Sequence, residues 1–290
     1  MRTNLIIQGE DIASADLRAL HELASAHGIE RIAHVQHQAF RLVDATDSPT
    51  NRAAVKARAD AAQLDFAFVP TGRTLADVGL LAMDMDSTLI TIECIDEIAD
   101  FVGKKAAVSA VTASAMRGEI DWPESLRQRV ALLTGLEESA LQRVYDERLS
   151  LSPGAEGLLA AAKQAGIKTL LVSGGFTFFT NRLQARLGID FAFSNTLEIV
   201  DGRLTGHVTG PLCDAAAKAQ HVGQIAAASG LKREQVIVIG DGANDLQMMQ
   251  QAALSVAYRA KPVVQAQASV ALNFVGLDGV LALFDKVSKP

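Results

Sequence analysis

Two aspartates stand one residue apart at the end of an apolar run, in Leu80-Leu81-Ala82-Met83-Asp84-Met85-Asp86-Ser87-Thr88. Carboxylates this close repel, and a cation or a shared proton must relieve them. Two further stretches bring related chemistry. Ser173-Gly174-Gly175 offers a hydroxyl and backbone N–H groups suited to phosphate oxygens at a helix start. Gly240-Asp241-Gly242-Ala243-Asn244-Asp245 adds two carboxylates, with glycines that let the backbone approach closely. Together these oxygen-rich stretches describe a site for a hard divalent cation, most simply Mg²⁺. An anionic substrate would also need a fixed positive charge. Lys218, in Asp214-Ala215-Ala216-Ala217-Lys218, is the candidate, although taken alone it reads more readily as a solvated surface lysine.

The elements around these stretches explain how they could meet. Val78 to Asp84, Lys168 to Val172 and Gln235 to Ile239 are short apolar runs that read as buried parallel strands. Helical patterns alternate with them over Ala155–Ala165, Phe176–Leu187 and Asp214–Ser229, which predicts a doubly wound, mostly parallel α/β sheet. In such sheets ligands bind beyond the carboxyl ends of the strands, so all three stretches share one address. Phe191–Val200 and Arg203–Thr209 read as a hairpin around Asp201-Gly202. Between the first and second core strands, residues 92–150 are nearly all helical in pattern, with breaks at Gly103 and Gly118 and a helix start at Pro123. An insertion at that point is placed to act as a lid.

The first 75 residues form a separate unit. Leu5–Gln8 is a strand, Ala15–His27 a helix stopped by Gly28, and Ile29–Gln36 and Ala39–Ala45 paired strands. A helix from Pro49 to Ala62 and a strand from Leu64 to Val69 complete a βαββαβ order, as in ferredoxin-like folds. Such units include amino-acid-binding regulatory domains, which gives this one a candidate role, though fold alone does not establish it. Its histidines, His21, His27, His34 and His37, have no metal-ligand spacing. Residues 76–290 form a second unit that carries all the candidate catalytic stretches, with residues 92–150 inserted in it.

The 290 residues carry a net charge of −6 with scattered cations, which argues against a nucleic-acid or lipid surface and for a small-molecule partner. Cys94 and Cys213 have neither a disulfide framework nor a zinc spacing. No apolar run reaches membrane length and the N-terminal one is too short for a signal peptide, so a cytoplasmic protein is expected. The oligomeric state is left open, a homodimer included.

The four segments resemble the four motifs of the haloacid dehalogenase superfamily of phosphotransferases. Asp84-Met85-Asp86-Ser87-Thr88 is similar to the first, Ser173-Gly174-Gly175 to the second, and Gly240 to Asp245 to the fourth, with Lys218 where the third falls. Glu93-Cys94-Ile95-Asp96-Glu97-Ile98-Ala99 and Glu124-Ser125-Leu126-Arg127-Gln128-Arg129-Val130 narrow the likeness to the phosphoserine-hydrolysing branch. Trp122 stands where that branch often has phenylalanine. The resemblance covers Val78 to the C-terminus. The N-terminal unit resembles the regulatory-type domain of some bacterial members, less specifically.

The resemblance implies phosphomonoester hydrolysis through an aspartyl-phosphate on Asp84, as the last step of serine biosynthesis. Mg²⁺ would lie between Asp84, the Asp86 main-chain carbonyl and Asp241, offsetting the phosphate charge. Asp86 would protonate the leaving alkoxide and then take a proton from water. Lys218 and Ser173, with the N–H groups of Gly174 and Gly175, would hold phosphate oxygens. Asn244 and Asp245 would support the cation and Lys218. For the amino-acid end of phosphoserine, Glu93 suits the ammonium and Arg129 the carboxylate, with Met116 and Trp122 as an apolar wall. A receiver domain also phosphorylates an aspartate beside Mg²⁺ and a lysine, but places its acidic pair before that aspartate and has no helical lid. The other alternative is a phosphatase or phosphotransferase of the same superfamily acting on another small phosphomonoester.

Overall fold

The computed structural model describes residues 2–33 and 35–285, so His34 lies outside the described residues. The N-terminal unit runs β1 (Thr3–Gly9), α1 (Ser14–Leu23), β2 (Gly28–Ile32), β3 (Gln38–Val43), α2 (Pro49–Ala61) and β4 (Asp65–Pro70). Its antiparallel sheet has the order β2-β3-β1-β4, the split-βαβ arrangement expected. α1 ends earlier than the sequence pattern suggested. Ala24 caps it and Ser25 turns into the left-handed region at φ 48°, so Gly28 opens β2 instead of closing the helix.

Both faces of this small sheet are buried. Leu5, Ile7, Leu42 and Phe68 pack with Leu20, Val55 and Ala59 of the two helices. Ile6, Ile32, Ala39, Ala67 and Val69 face the other way and join the main core of the catalytic unit. Alternation along β1 therefore assigns successive residues to two different cores.

The catalytic unit begins with β5 (Leu80–Met83), followed by α3 (Cys94–Phe101), α4 (Lys105–Met116), α5 (Trp122–Ala131) and α6 (Ser139–Glu147). It continues through α7 (Ala155–Gln164), β6 (Lys168–Phe176), α8 (Thr177–Leu187), β7 (Phe191–Val200) and β8 (Arg203–Thr209). α9 (Ala215–Ala228), β9 (Val236–Gly240), α10 (Leu246–Met249), β10 (Leu254–Tyr258), α11 (Pro262–Gln265) and β11 (Val270–Leu272) complete it. The seven-stranded sheet has the order β11-β10-β9-β5-β6-β7-β8, parallel except for the edge strand β8. β5 is central, and Met83 is in register with Leu171 on one side and Ile239 on the other. The three strands that carry the chemistry are thus neighbours ending at one level. Leu80 and Ala82 pack against one layer, Leu81 and Met83 against the other.

The insertion forms four helices, broken where Gly103, Gly118 and Gly135 take positive φ. It is held at both ends. Its entry and exit pair at Ile90 and Leu151, and Thr91 N donates to Ser150 O at 3.0 Å. On its far side the β7–β8 hairpin turns at Asp201-Gly202, both at positive φ, and rises to meet it. Gly135 N donates to Leu204 O, Leu204 N to Leu136 O, and Arg203 pairs with Glu137 at 2.8 Å. A side chain at Gly206 would run into Thr134, so the hairpin and the loop after α5 are in close contact.

The two units are joined by Asp65, at the start of β4 and 2 % exposed. Its carboxylate accepts from the N–H groups of Asn273 (2.7 Å), Phe274 (2.9 Å) and Val275 (3.0 Å), just after β11. Removing the acceptor strands three buried donors. Asp65→Ala is expected to lower the unfolding free energy by about 3 kcal/mol. Urea denaturation checks this, and a change below about 1 kcal/mol would show that water replaces the carboxylate at no cost.

Candidate active site

The site is built on the end of β5. Asp84 follows Met83 and keeps the strand's ladder, donating from its N–H to Ile239 O at 3.1 Å. The chain then turns sharply, with Ser87 at φ 54°. This turn lets Asp84 and Asp86 approach the crevice from different directions. Asp84 is 4 % exposed. One of its oxygens accepts from Met85 N at 2.7 Å and the other meets Lys218 Nζ at 2.7 Å.

Lys218 is no surface residue. It projects from the second turn of α9, whose start is capped by Asp214 accepting from Ala217 N, and is 1 % exposed. Its ammonium bridges Asp84 Oδ2 and Asp245 Oδ1, the latter at 2.8 Å. Burial opposes its charge, but the two carboxylates outweigh burial and hold its pKa above the ordinary lysine value. Burial and the nearby Asp245 push Asp84 well above the usual carboxylate range, with Lys218 pulling the other way.

The loop after β9 is organised by Asp245, which is fully buried. Its Oδ2 accepts from the N–H groups of Asp241 (3.1 Å) and Gly242 (3.0 Å). Asp241 is fixed separately, by Thr88 Oγ1 donating to its Oδ1 at 3.1 Å. Burial, then Asp245 and Glu93, raise its carboxyl to about 6. Asn244 is half-buried on the same loop, with its amide oxygen against Gly242. Asp84, Asp241 and Asp245 each offer an oxygen within 4.8 Å of one another. This all-oxygen carboxylate set suits a hard divalent cation.

Asp86 turns away from that set. Its Oδ1 accepts from Cys94 N at 2.9 Å, and Ser173 Oγ lies 3.5 Å from its Oδ2. Burial and the neighbouring Glu93 raise it to about 7, so it can carry a proton at neutral pH.

The second segment differs from expectation. Ser173, Gly174 and Gly175 do not open a helix but lie within an irregular extension of β6, whose pairing with β7 shifts between Val172 and Phe176. α8 starts only at Thr177. The bulge follows from close packing. A side chain at Gly175 would sit 2.6 Å from Asp86 Oδ2 and 2.8 Å from Met85 Cε, and Gly175 N donates to Ser173 Oγ at 2.8 Å. Asn195 of β7, a residue with no sequence motif around it, holds this extension in place. Its Nδ2 donates to Gly174 O and its Oδ1 accepts from Cys213 N, both at 2.8 Å. A buried polar residue inside a strand was the only signal it gave.

The insertion supplies the outer wall. Glu93, just before α3, accepts from Ser87 Oγ at 2.7 Å, and burial raises its carboxyl. Arg129 on α5 donates from Nε to Ser125 O at 3.3 Å. Burial lowers its pKa, while Asp96, Glu93 and Asp86 favour its charge. No direct Glu93–Arg129 ion pair is formed among the described residues, yet each feels the other's charge. Trp122 opens α5 with its ring 3.0 Å from where a Gly174 side chain would begin, so wall and core touch there. Met116 is different: it is 71 % exposed at the end of α4 and closes nothing in this arrangement.

Residues 81–250 match the haloacid dehalogenase-like hydrolases, and the chain belongs to that family. The chain is 55 % identical to a phosphoserine phosphatase of Polaromonas over 72 % of its length and 91 % of the relative's. It thus falls among the phosphoserine phosphatases within the family. The crystal structure of a family hydrolase from Salmonella enterica serovar Typhi superposes with a TM-score of 0.88 at 34 % identity, covering 98 % of each chain. A phosphoserine phosphatase carrying a phospho-aspartyl intermediate analogue superposes with a TM-score of 0.67 at 36 % identity, over 72 % of this chain and 99 % of the other. Residues 5–55 match a domain of unknown function. Among the described residues no helix is long and apolar enough to cross a membrane.

The contact between Gly175 and Asp86 gives a direct test. Gly175→Ala is expected to displace the Asp86 carboxyl and cut turnover by about 100-fold, as misplacing a reacting group by an ångström does. The overpacking also lowers the melting temperature by a few degrees, so turnover is compared where both proteins are folded. Parent-like kcat for p-nitrophenyl phosphate and phosphoserine would show that the close approach has no bearing on the chemistry.

Proposed function

We propose that this enzyme hydrolyses O-phospho-L-serine to L-serine and phosphate, through an aspartyl-phosphate on Asp84 and with Mg²⁺ as cofactor. The observation that carries the reading is the pair at the end of β5. One carboxylate is in contact with a buried lysine at 2.7 Å, and the other, two residues on, is raised to about 7. A cation in contact favours the ionised form a nucleophile uses, and a raised carboxyl holds the proton a general acid gives.

Asp84 attacks phosphorus along the axis opposite the serine oxygen. Asp86 delivers its proton to that oxygen as the bond breaks, since a serine alkoxide leaves poorly without one. The carboxylate so formed then takes a proton from water, which attacks the phosphorus of the aspartyl-phosphate and frees phosphate and Asp84. Ser173 Oγ and the N–H groups of Gly174 and Gly175 hold the equatorial oxygens, with Lys218 balancing their charge. Asp84, Asp241 and the Asp86 carbonyl would hold Mg²⁺, with Asp245 and Asn244 shaping the loop behind it. When bound, the cation offsets the phosphate charge that would otherwise repel Asp84. Glu93 takes the substrate ammonium and Arg129 its carboxylate, while Trp122 and, once α4 closes, Met116 bound the apolar side. Support for the substrate comes from the relatives, and support for the intermediate from the structural neighbour with its analogue. The reaction would complete serine biosynthesis in the cytoplasm.

Asp84→Asn removes the attacking oxygen and is expected to abolish phosphate release with Mg²⁺ present; near-parent activity would refute the mechanism. Arg129→Ala should lower kcat/KM for phosphoserine by about 2–4 kcal/mol, as for one partner of a desolvated charged pair. A phosphomonoester without a carboxylate should lose much less. Equal losses on both substrates would leave the insertion as a mere cover.

A further inference from the structure

The crevice presents a charge problem to the substrate proposed above. Asp84, Asp86, Glu93, Asp96, Asp241 and Asp245 all act on it electrostatically. Lys218 is paired with Asp84 and Asp245 in the free enzyme, and Arg129 already stands in the field of Asp96, Glu93 and Asp86. A phosphomonoester is an anion and must pass this field before any inner cation can hold it.

A fourth loop reaches the same edge of the sheet. β10 ends at Tyr258, two strands from β5, and Arg259 to Lys261 lead into α11. The main chain of this loop is braced at each residue. Arg259, at φ 45°, donates from its N–H to Leu272 O at 2.7 Å. Gln265 Nε2 donates to Ala260 O at 2.7 Å, and Lys261 N donates to Asp241 O at 3.3 Å. Pro262 follows and fixes the exit. The side chain of Lys261 is left exposed and takes part in no ion pair among the described residues. Its charge reaches the Glu93 carboxylate. An exposed lysine is usually only solvated. Here the backbone is pinned to the Asp241 loop, the side chain is exposed, and its charge is felt by Glu93 across the crevice.

We propose that Lys261 is a substrate-steering residue, the entrance cation that draws the anionic groups of the substrate past the carboxylates. It rests on the reading that phosphoserine is the substrate. The exposed ammonium eases the Glu93 carboxylate in the free enzyme; when the substrate ammonium takes over that part, Lys261 is left to act on the substrate's anionic side.

Steady-state kinetics of the full chain with Mg²⁺, at low and high salt, test this. Lys261→Met is expected to raise KM for phosphoserine about fivefold at low salt, the effect of one unit charge near water. kcat should change by less than about twofold, and the KM gap should close at high salt as the field is screened. Lys261→Glu should enlarge the gap and Lys261→Arg should remove it. An unchanged KM at low salt, or a rise that persists at high salt and is not rescued by arginine, overturns the proposal. A parent enzyme that leaves phosphoserine intact overturns the substrate reading instead. The same variants on p-nitrophenyl phosphate then decide the role of Lys261 by the same salt dependence.

Discussion

The interaction on which the site depends is the buried ammonium of Lys218 between Asp84 and Asp245, at 2.7 and 2.8 Å. Three carboxylates crowd one corner of a sheet whose surroundings are apolar. Without a positive charge they would take up protons still more readily. Lysine at this point eases the repulsion, and it does so from a helix anchored in the core. Asp245 then spends its other oxygen on two main-chain N–H groups, which aims Asp241 into the crevice. The same ion pair thus orders the strand end, the helix and the loop after β9. Such a buried triad is an expensive way to gain stability. Its retention is better explained by the chemistry it prepares.

Asp84 and Asp86 show how environment divides two identical side chains. Asp84 faces a lysine and a carboxylate cluster; Asp86 faces a backbone N–H, a hydroxyl and Glu93. Burial raises both, but only Asp84 has a cation in contact. The bulge in β6 is part of this division, because Gly175 allows the Asp86 carboxyl to lie against the strand extension.

The insertion is less free than a simple lid. Its α5–α6 half is tied by main-chain bonds to the β7–β8 hairpin, whereas α4 buries little beyond Val108 and leaves Met116 in solvent. α4 is thus the most loosely packed helix of the insertion, while Arg129 and Trp122 lie on the anchored half. On the opposite side the N-terminal sheet shares its second face with the catalytic core and is bound to it through Asp65. The unit is a structural extension of the enzyme as well as a candidate regulatory domain.

Much was legible in the chain itself, for reasons that are local. Apolar runs that stop at Asp84 and Asp241 mark buried parallel strands and their ends, and the βαββαβ order follows from turn residues and periodicity. The carboxylate pair and the glycine-bracketed Asp241–Asp245 loop announced themselves by spacing alone. Other features had no local signature. Lys218 in an alanine-rich helix has the pattern of a surface residue; only the packing of α9 against the sheet buries it. Asn195 lies in a plain strand, and its two hydrogen bonds join segments 21 and 18 residues away. The extension of β6 through Gly175, the anchoring of the insertion by β8 and the placing of Lys261 beside Asp241 are likewise contacts between distant segments. Sequence patterning determines which residues seek the interior and where strands end. Which charges then become neighbours depends on strand order, and strand order is settled only when the sheet closes around β5.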